Sequence, residues 1–305
     1  MRSGGSLSSM TCLTVLATMF LCPDMARAEL KTTAKPASKI KSVTTIAPRI
    51  EAVQFESKVL GTKKTFCAIL PAQFKENDKD KETTYPFLLL LHGSGRNERT
   101  LIDHPKARQI LLDAGFMIIL PDGDSQWYVD SPVDPKSKYA TYLEEVLRLA
   151  ETHYRLSRDP KQRAIAGWSM GGYGAVRFAE NHPDEFGAVA SMIGVIDYPR
   201  AREEFPPGQS YVIIRRCFGK NPKVWKKHNP IRFVEKLRGK SILLTTGTEA
   251  FDRTMNENFC KELDRLKIPY RFEKLEGGHH FDVVRESLPL VIRHVRAAWG
   301  LEKTK

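Results

Sequence analysis

The chain has 305 residues, of which 41% are hydrophobic and 28% are charged, and its formal net charge is +12. That length and hydrophobic content suffice for one large α/β domain with a well-buried core, and no internal repeat argues for a second one. The basic residues are scattered along the chain, so the positive charge does not by itself indicate a nucleic-acid partner.

The first residues have the features of a secretory signal. Arg2 precedes an apolar run over 10–22, and Ala26-Arg27-Ala28 supplies small residues at a cleavage site. The run is shorter than the ~20 residues that a membrane-spanning helix needs, and no later segment could span a bilayer. We therefore predict a signal peptide over 1–28 and a secreted or periplasmic location. Residues 29–50 are rich in Lys, Thr, Ala, Ser and Pro, which predicts a flexible leader before a single domain over 51–305.

The elements of an α/β sheet follow in chain order. Alternating polar and apolar residues from Val53 to Leu70 predict an antiparallel hairpin, and continuous apolar runs predict strands buried on both faces. Strands are predicted at 87–91, 117–120, 163–167, 187–192, 241–246 and 270–275, and helices at 110–114, 139–154, 256–266 and 283–299, with one more directly after residue 169. An insertion at 197–230, rich in Pro, aromatic and basic residues, would lie over the strand ends as a short cap. Strands that alternate with helices imply a mostly parallel central sheet with helices on both faces and a site at the carboxyl ends of the strands.

One stretch carries a catalytic signal. Residues 167–171 read Gly-Trp-Ser-Met-Gly between a buried-strand pattern and a helical one. The GxSxG pattern lets a strand turn abruptly into a helix, with the serine in a strained backbone conformation and its hydroxyl exposed above the sheet. Gly167 and Gly171 lack the side chains that would collide at such a turn. Ser169 is therefore the predicted nucleophile.

With this elbow, the chain resembles the esterase D-like branch of the α/β-hydrolases, which includes S-formylglutathione hydrolases, feruloyl and acetylxylan esterases and the mycolyltransferases. The resemblance runs from about Val53 to about Trp299 and is sharpest at the elbow, at Leu-His-Gly-Ser-Gly over 91–95 and at Gly-Gly-His over 277–279. It implies the α/β-hydrolase fold and a serine esterase that uses no metal or other cofactor.

The resemblance also implies the partners of the nucleophile. Family members carry Gly-Gly-His after the last strand, so His279 is the predicted general base, and the neighbouring His280 is the alternative. The acid is where the chain departs from its relatives, because Ala250 occupies the usual carboxylate position. Asp252 is the predicted acid that orients His279, with Glu249 as the alternative, since a loop can move a carboxylate by a residue or two.

Two backbone amides are predicted to stabilise the oxyanion that forms when the serine attacks an ester. One is the amide of Met170, directly after the nucleophile. The other comes from the loop after the strand at 87–91, and the resemblance points to Ser94 within that loop.

These features predict a secreted serine esterase that acts on a small-molecule or carbohydrate ester, and export favours acetyl or feruloyl esters of carbohydrate over a cytosolic thioester. Trp168, Trp127 and Tyr128 are predicted to line its substrate pocket. Two alternatives stay open. One is a serine peptidase of the prolyl-oligopeptidase type, disfavoured because few residues precede the strand at 87–91. The other is a binding protein on a hydrolase fold that has lost the acid, which Ala250 permits.

Three cysteines remain after the predicted signal: Cys67, Cys217 and Cys260. They match no metal-ligand spacing, and an odd number allows at most one internal disulfide. The sequence does not choose a pair among them, and it does not indicate an oligomeric state.

Overall fold

The computed structural model describes Met1 and residues 38–75, 83–204 and 211–301. Apart from Met1, the predicted signal peptide lies outside the described residues, and so does the first part of the predicted leader, up to residue 37.

The described chain is built around one nine-stranded sheet in the order β1-β2-β3-β5-β4-β6-β7-β8-β9. Strand β4 lies between β5 and β6, and all pairings from β5 across to β9 are parallel, whereas β1, β2 and β3 are antiparallel additions at one edge. The strands are β1 Ile40–Ala47, β2 Ile50–Ser57, β3 Thr62–Ile69, β4 Phe87–Leu91, β5 Met117–Pro121, β6 Arg163–Trp168, β7 Ala188–Met192, β8 Ser241–Gly247 and β9 Arg271–Leu275.

Eight α-helices are described: α1 Thr100–Asp103, α2 Pro105–Leu112, α3 Tyr139–Tyr154, α4 Met170–Asn181, α5 Arg215–Phe218, α6 Pro222–His228, α7 Arg253–Arg265 and α8 Phe281–Ala298. Apolar side chains of α3, α4 and α7 pack in the core on one face of the sheet. Those of α1, α2 and α8 pack in a second core on the other face. This two-faced arrangement confirms the predicted fold class, and α3 and β4 have the predicted bounds.

The order of the strands determines where a site can form. Because β4 lies between β5 and β6, the chain leaves β4 towards one side of the sheet and later reaches β6 on the other side. A crevice forms at the carboxyl ends of two parallel strands whose connections diverge in this way, and ligands bind there in open α/β sheets. The loop after β4 and the elbow after β6 therefore lie side by side.

The insertion at 197–230 packs against loops that follow the strands. The guanidinium of Arg216 donates to the carbonyl of Ser125, after β5, at 3.2 Å, and the Tyr211 hydroxyl donates to the carbonyl of Phe251, after β8, at 2.9 Å. Its described part therefore lies at the carboxyl ends of the strands, which is the place predicted for a cap.

The flexible leader predicted for residues 29–50 is wrong from Ile40 onward. Residues 40–47 form strand β1, which pairs antiparallel with β2, and β2 itself begins at Ile50. The composition argument failed because it considers only side-chain burial. Strand β1 has mostly exposed side chains and is held by backbone hydrogen bonds at the sheet edge, for which its β-branched Val, Thr and Ile residues are suited.

Two other predictions concern membranes and cysteines. None of the helices in the described ranges combines the length and apolar character needed to cross a bilayer.

Cys67, Cys217 and Cys260 are all buried and all free, so the structure contains no disulfide among these three residues. Burial raises the pKa of the Cys67 thiol to about 12, and the side chain therefore behaves as a small apolar group.

A buried carboxylate attaches the edge hairpin to the rest of the domain. Glu145 of α3 is 6% exposed, and it accepts hydrogen bonds from the hydroxyls of Ser38 and Ser57. It also accepts from the backbone amides of Lys58, at 2.8 Å, and Val59, at 3.4 Å. Ser38 precedes β1, and the other three donors lie at the turn between β2 and β3, so one side chain satisfies several groups of the hairpin at once.

We expect Glu145→Ala to lower the free energy of unfolding by about 2–4 kcal/mol, because it leaves buried donors without an acceptor. The adjacent Glu144 is the matched control: its 3.7 Å pair with Arg148 is solvent-accessible, and Glu144→Ala should cost less than about 0.5 kcal/mol. Urea denaturation of the two variants makes the comparison. Equal losses would contradict the role assigned to Glu145.

Candidate active site

The turn between β6 and α4 holds Ser169 in an unusual backbone conformation. Ser169 has φ 55° and ψ −117°. A residue that has a side chain adopts this conformation only at a cost in free energy, so it persists only where the surrounding structure imposes it. Two hydrogen bonds impose it here. The Ser169 amide donates to the carbonyl of Met192 at 3.0 Å, and the Ser169 carbonyl accepts from the amide of Tyr173 at 3.0 Å. This is the geometry predicted for a nucleophile elbow.

The two glycines of the motif are required by close backbone contacts. A Cβ on Gly167 would lie 2.3 Å from the carbonyl oxygen of Gly171, and a Cβ on Gly171 would lie 2.2 Å from the carbonyl oxygen of Leu91. Both distances are far below van der Waals contact, so any side chain at either position would push the elbow away from β4.

A chain of hydrogen bonds joins Ser169 to residues from two other loops. His279, in the loop between β9 and α8, has its Nε2 atom 2.9 Å from the Oγ of Ser169. Its Nδ1 atom lies 2.6 Å from the Oδ1 of Asp252, which follows β8. The structure thus brings together the three residues that the sequence predicted as nucleophile, base and acid.

The environment of Asp252 explains how its carboxylate is held. The side chain is 0% exposed. Its Oδ2 atom accepts from the Thr246 hydroxyl at 2.7 Å and from the Asn256 amide at 3.1 Å, while Oδ1 faces His279. A carboxylate so placed accepts a hydrogen bond from the protonated Nδ1 of His279, which keeps Nε2 unprotonated towards the Ser169 hydroxyl. Thr246 and Asn256 are members of the site that the sequence analysis missed, because a Thr at a strand end and an Asn in a helix carry no motif.

The alternatives that the sequence left open lie elsewhere. Glu249 is exposed on the surface and His280 is exposed at the start of α8, and among the described contacts neither side chain reaches Ser169. Ala250, at the position where the resemblance led us to expect a carboxylate, is 7% exposed. A tight turn after β8, in which the Arg253 amide donates to the Ala250 carbonyl at 3.1 Å, brings Asp252 inward two residues later.

The loop after β4 lies directly against the nucleophile. A Cβ built on Gly93 would be 3.4 Å from the Cβ of Ser169, so the backbone of residues 92–95 passes within contact distance of the elbow. Within the described ranges, neither the amide of Met170 nor that of Ser94 donates to an acceptor of the protein. Two free amides beside a serine hydroxyl form the arrangement expected of an oxyanion-binding site.

Two buried side chains hold this loop in place. The Tyr128 hydroxyl accepts from the His92 amide at 3.1 Å and lies 3.3 Å from the His92 carbonyl, to which it donates. The His92 ring accepts from the Gly123 amide at Nε2, 2.9 Å away, and its Nδ1 atom lies 2.8 Å from the Gly93 carbonyl. Because Nε2 is an acceptor, Nδ1 carries the proton and donates. Burial raises the pKa of Tyr128 well above its usual range, so its hydroxyl keeps the proton it donates.

The predicted substrate-lining role of three aromatic residues is wrong. Trp168, Trp127 and Tyr128 are only 4%, 8% and 2% exposed. Trp168 packs near His92, and Trp127 packs against Tyr173, Tyr198 and Phe218. Neither the position of Trp168 beside the nucleophile nor that of Trp127 and Tyr128 in a loop after a strand made these side chains accessible, because they point into the two cores beneath the site.

Within the described ranges, no group of three or more His, Cys, Asp or Glu side chains could hold a metal ion.

Comparison with known proteins identifies the family. Residues 57–300 match the family model named Esterase, a span that contains the elbow, the loop after β4 and the three hydrogen-bonded side chains. The chain belongs to the Esterase family.

Two relatives extend the comparison. Esterase Rv1288 of Mycobacterium tuberculosis is 26% identical over 284 residues, which cover 82% of this chain and 60% of that protein. The chain therefore spans less than two thirds of the length of this relative. The acetyl esterase of Caldicellulosiruptor saccharolyticus is 26% identical over 245 residues, covering 75% of this chain and 91% of that protein.

A solved structure shows the same fold. FphF, a fluorophosphonate-binding serine hydrolase of Staphylococcus aureus, matches with a TM-score of 0.70 and 23% sequence identity, over 81% of this chain and 97% of that chain. This likeness shows that the chain has the same fold as that hydrolase, in agreement with the fold class predicted from the sequence.

The hydrogen bonds around His92 generate a prediction. Tyr128→Phe removes the hydroxyl that brackets the His92 peptide, so the loop amides facing Ser169 lose their exact placement. We expect the turnover number for p-nitrophenyl acetate to fall roughly tenfold, with KM changed by less than about twofold, because the ground-state contacts are retained.

Tyr142→Phe is the matched control. Tyr142 is 0% exposed, and its hydroxyl has no hydrogen-bond partner among the described residues. This variant should retain full turnover. If both variants lose the same activity, or if Tyr128→Phe loses none, the hydroxyl of Tyr128 does not position the loop.

Proposed function

We propose that this protein is a serine esterase that hydrolyses carboxylic esters through an acyl-enzyme. The observation that supports the proposal best is the hydrogen-bond chain from Ser169 through His279 to Asp252, at 2.9 Å and 2.6 Å. A serine hydroxyl is a poor nucleophile at neutral pH unless a base takes its proton, and His279 is positioned to do so.

The first half of the proposed reaction forms the acyl-enzyme. The Oγ of Ser169 attacks the carbonyl carbon while its proton passes to the Nε2 of His279, and Asp252 stabilises the resulting imidazolium. The negative charge on the carbonyl oxygen is met by the amides of Met170 and Ser94. The carbon–oxygen bond to the alcohol then breaks, and His279 returns its proton to the departing oxygen.

The second half releases the acid. Water attacks the acyl carbonyl, gives a proton to the Nε2 of His279, and forms a second oxyanion at the same two amides. The bond to the Ser169 Oγ breaks, the oxygen recovers its proton from His279, and the carboxylic acid departs. The protein returns to its starting protonation state, with no other reactant consumed.

Acetyl or feruloyl esters of carbohydrate are the proposed substrates. The relative from Caldicellulosiruptor saccharolyticus is named an acetyl esterase. The branch of esterases that the chain resembles also includes feruloyl and acetylxylan esterases. An apolar run over 10–22 followed by Ala-Arg-Ala supports export to the periplasm or the medium, where polymeric carbohydrate esters are accessible.

Active-site labelling tests whether Ser169 is the nucleophile. A fluorophosphonate probe should label the wild-type protein covalently at Ser169, and the protein should hydrolyse p-nitrophenyl acetate. Ser169→Ala should abolish labelling and lower hydrolysis to the uncatalysed background, because the attacking oxygen is gone. Mass spectrometry locates the adduct. Absence of labelling together with equal background rates for both proteins would leave a non-catalytic binding protein.

The role of Asp252 has its own test. Asp252→Asn should lower the turnover number by roughly four orders of magnitude, because the neutral amide no longer selects the required His279 tautomer or stabilises the imidazolium. Glu249→Gln is the control, because Glu249 is an exposed carboxylate only three residues before Asp252 in the chain. This variant should change the turnover number by less than about twofold. A larger loss in Glu249→Gln than in Asp252→Asn would reassign the acid.

A further inference from the structure

One exposed aromatic residue lies against the proposed general base. The Phe251 side chain is 47% exposed and is the single aromatic among the exposed large hydrophobic residues of the described chain. Its ring centroid is 4.3 Å from that of His279, with an interplanar angle of 32°. Because about half of this residue stays accessible while its ring packs against the proposed base, a bound ligand could contact it beside the reacting atoms.

The position of the ring follows from the residues around it. Phe251 lies between Ala250 and Asp252, which are 7% and 0% exposed, so the turn that brings Asp252 inward leaves Phe251 outward. The insertion supports it from the other side, because the Tyr211 hydroxyl donates to the Phe251 carbonyl at 2.9 Å. The ring of Tyr211 is 5.7 Å from that of Phe251, at an angle of 48°. The two rings therefore form a continuous aromatic surface beside His279.

The chemistry of the proposed reaction determines which half of the substrate reaches this surface. His279 gives its proton to the departing alcohol oxygen, so that oxygen must come within hydrogen-bond reach of Nε2. The carbonyl oxygen of the ester turns the other way, towards the amides of Met170 and Ser94. A group attached to the departing oxygen therefore lies near the His279 ring, against which Phe251 packs.

We propose that Phe251 and Tyr211 form a stacking subsite for the alcohol portion of the ester, and that this portion is a sugar ring. The proposal rests on the proposed function and specifies its leaving group. A pyranose presents a face of C–H bonds that packs on an aromatic ring and a rim of hydroxyls that need polar partners. Glu249 and Arg253, two residues before and two residues after Phe251 in the chain, are exposed, so this turn offers charged groups to a hydroxylated ring and little apolar surface to a long alkyl chain.

The experiment compares two esters that share the acetyl group and differ in the alcohol: an acetylated methyl xylopyranoside and ethyl acetate. Phe251→Ala should lower kcat/KM for the glycoside roughly tenfold more than kcat/KM for ethyl acetate, because only the glycoside loses a stacking contact. Phe251→Trp should retain activity on the glycoside, because it keeps an aromatic face. Phe272→Ala is the control, since Phe272 is a partly exposed ring on β9 that packs with Lys274, and it should affect neither ester.

Three outcomes overturn the proposal. Equal losses on both esters would mean that Phe251 only supports the His279 ring. Unchanged rates on both would mean that the alcohol does not touch Phe251. A loss that follows the acyl group, when acetyl and propionyl esters of one glycoside are compared, would move the subsite to the acid side of the ester.

A binding measurement separates this proposal from the esterase function itself. Saturation-transfer NMR with methyl xylopyranoside should show contact with the Ser169→Ala protein and a clear loss of signal when Phe251→Ala is added. If this contact is present but the wild-type protein hydrolyses no ester, the sugar subsite stands and the proposed function fails. If the contact is absent while esters are hydrolysed, the function stands and the subsite fails.

Discussion

The hydrogen bond between the Nε2 of His279 and the Oγ of Ser169 is the contact on which the rest of the site depends. It joins two loops that are 110 residues apart in sequence, and only the shared direction of parallel strands places both loops at one edge of the sheet. The Ser169 hydroxyl makes this hydrogen bond from a strained backbone conformation. Its φ of 55° is sustained because Gly167 and Gly171 let the elbow approach β4 more closely than any side chain would allow.

Around this contact the domain supplies a buried polar framework. Thr246 and Asn256 hold one oxygen of Asp252 so that the other faces the histidine, and Tyr128 and His92 fix the loop whose amides face the nucleophile. Such groups must find partners once they are removed from water, so each also constrains its neighbours. The precision required for ester chemistry thus comes from residues that would not touch a substrate.

Recognition and catalysis are separated in this arrangement. The aromatic residues first predicted to line the pocket are part of the cores, while the exposed ring beside His279 is Phe251, in the turn after β8, which packs against Tyr211 of the insertion. Loops at strand ends can vary without disturbing the sheet. A family that keeps its elbow can therefore acquire a new alcohol preference through these two segments.

Features encoded by short-range patterns were determined by the sequence alone. The parallel sheet, the bounds of α3 and β4, and Ser169 at a strained turn all follow from hydrophobic periodicity and a five-residue motif, because these report local backbone geometry. Features that depend on distances between separate loops were decided by the tertiary structure. The choice of Asp252 over Glu249, the burial of Trp168 and the pairing of β1 at the sheet edge required it, since a turn rotates successive side chains to opposite sides and a strand at the edge is held by hydrogen bonds that composition does not record.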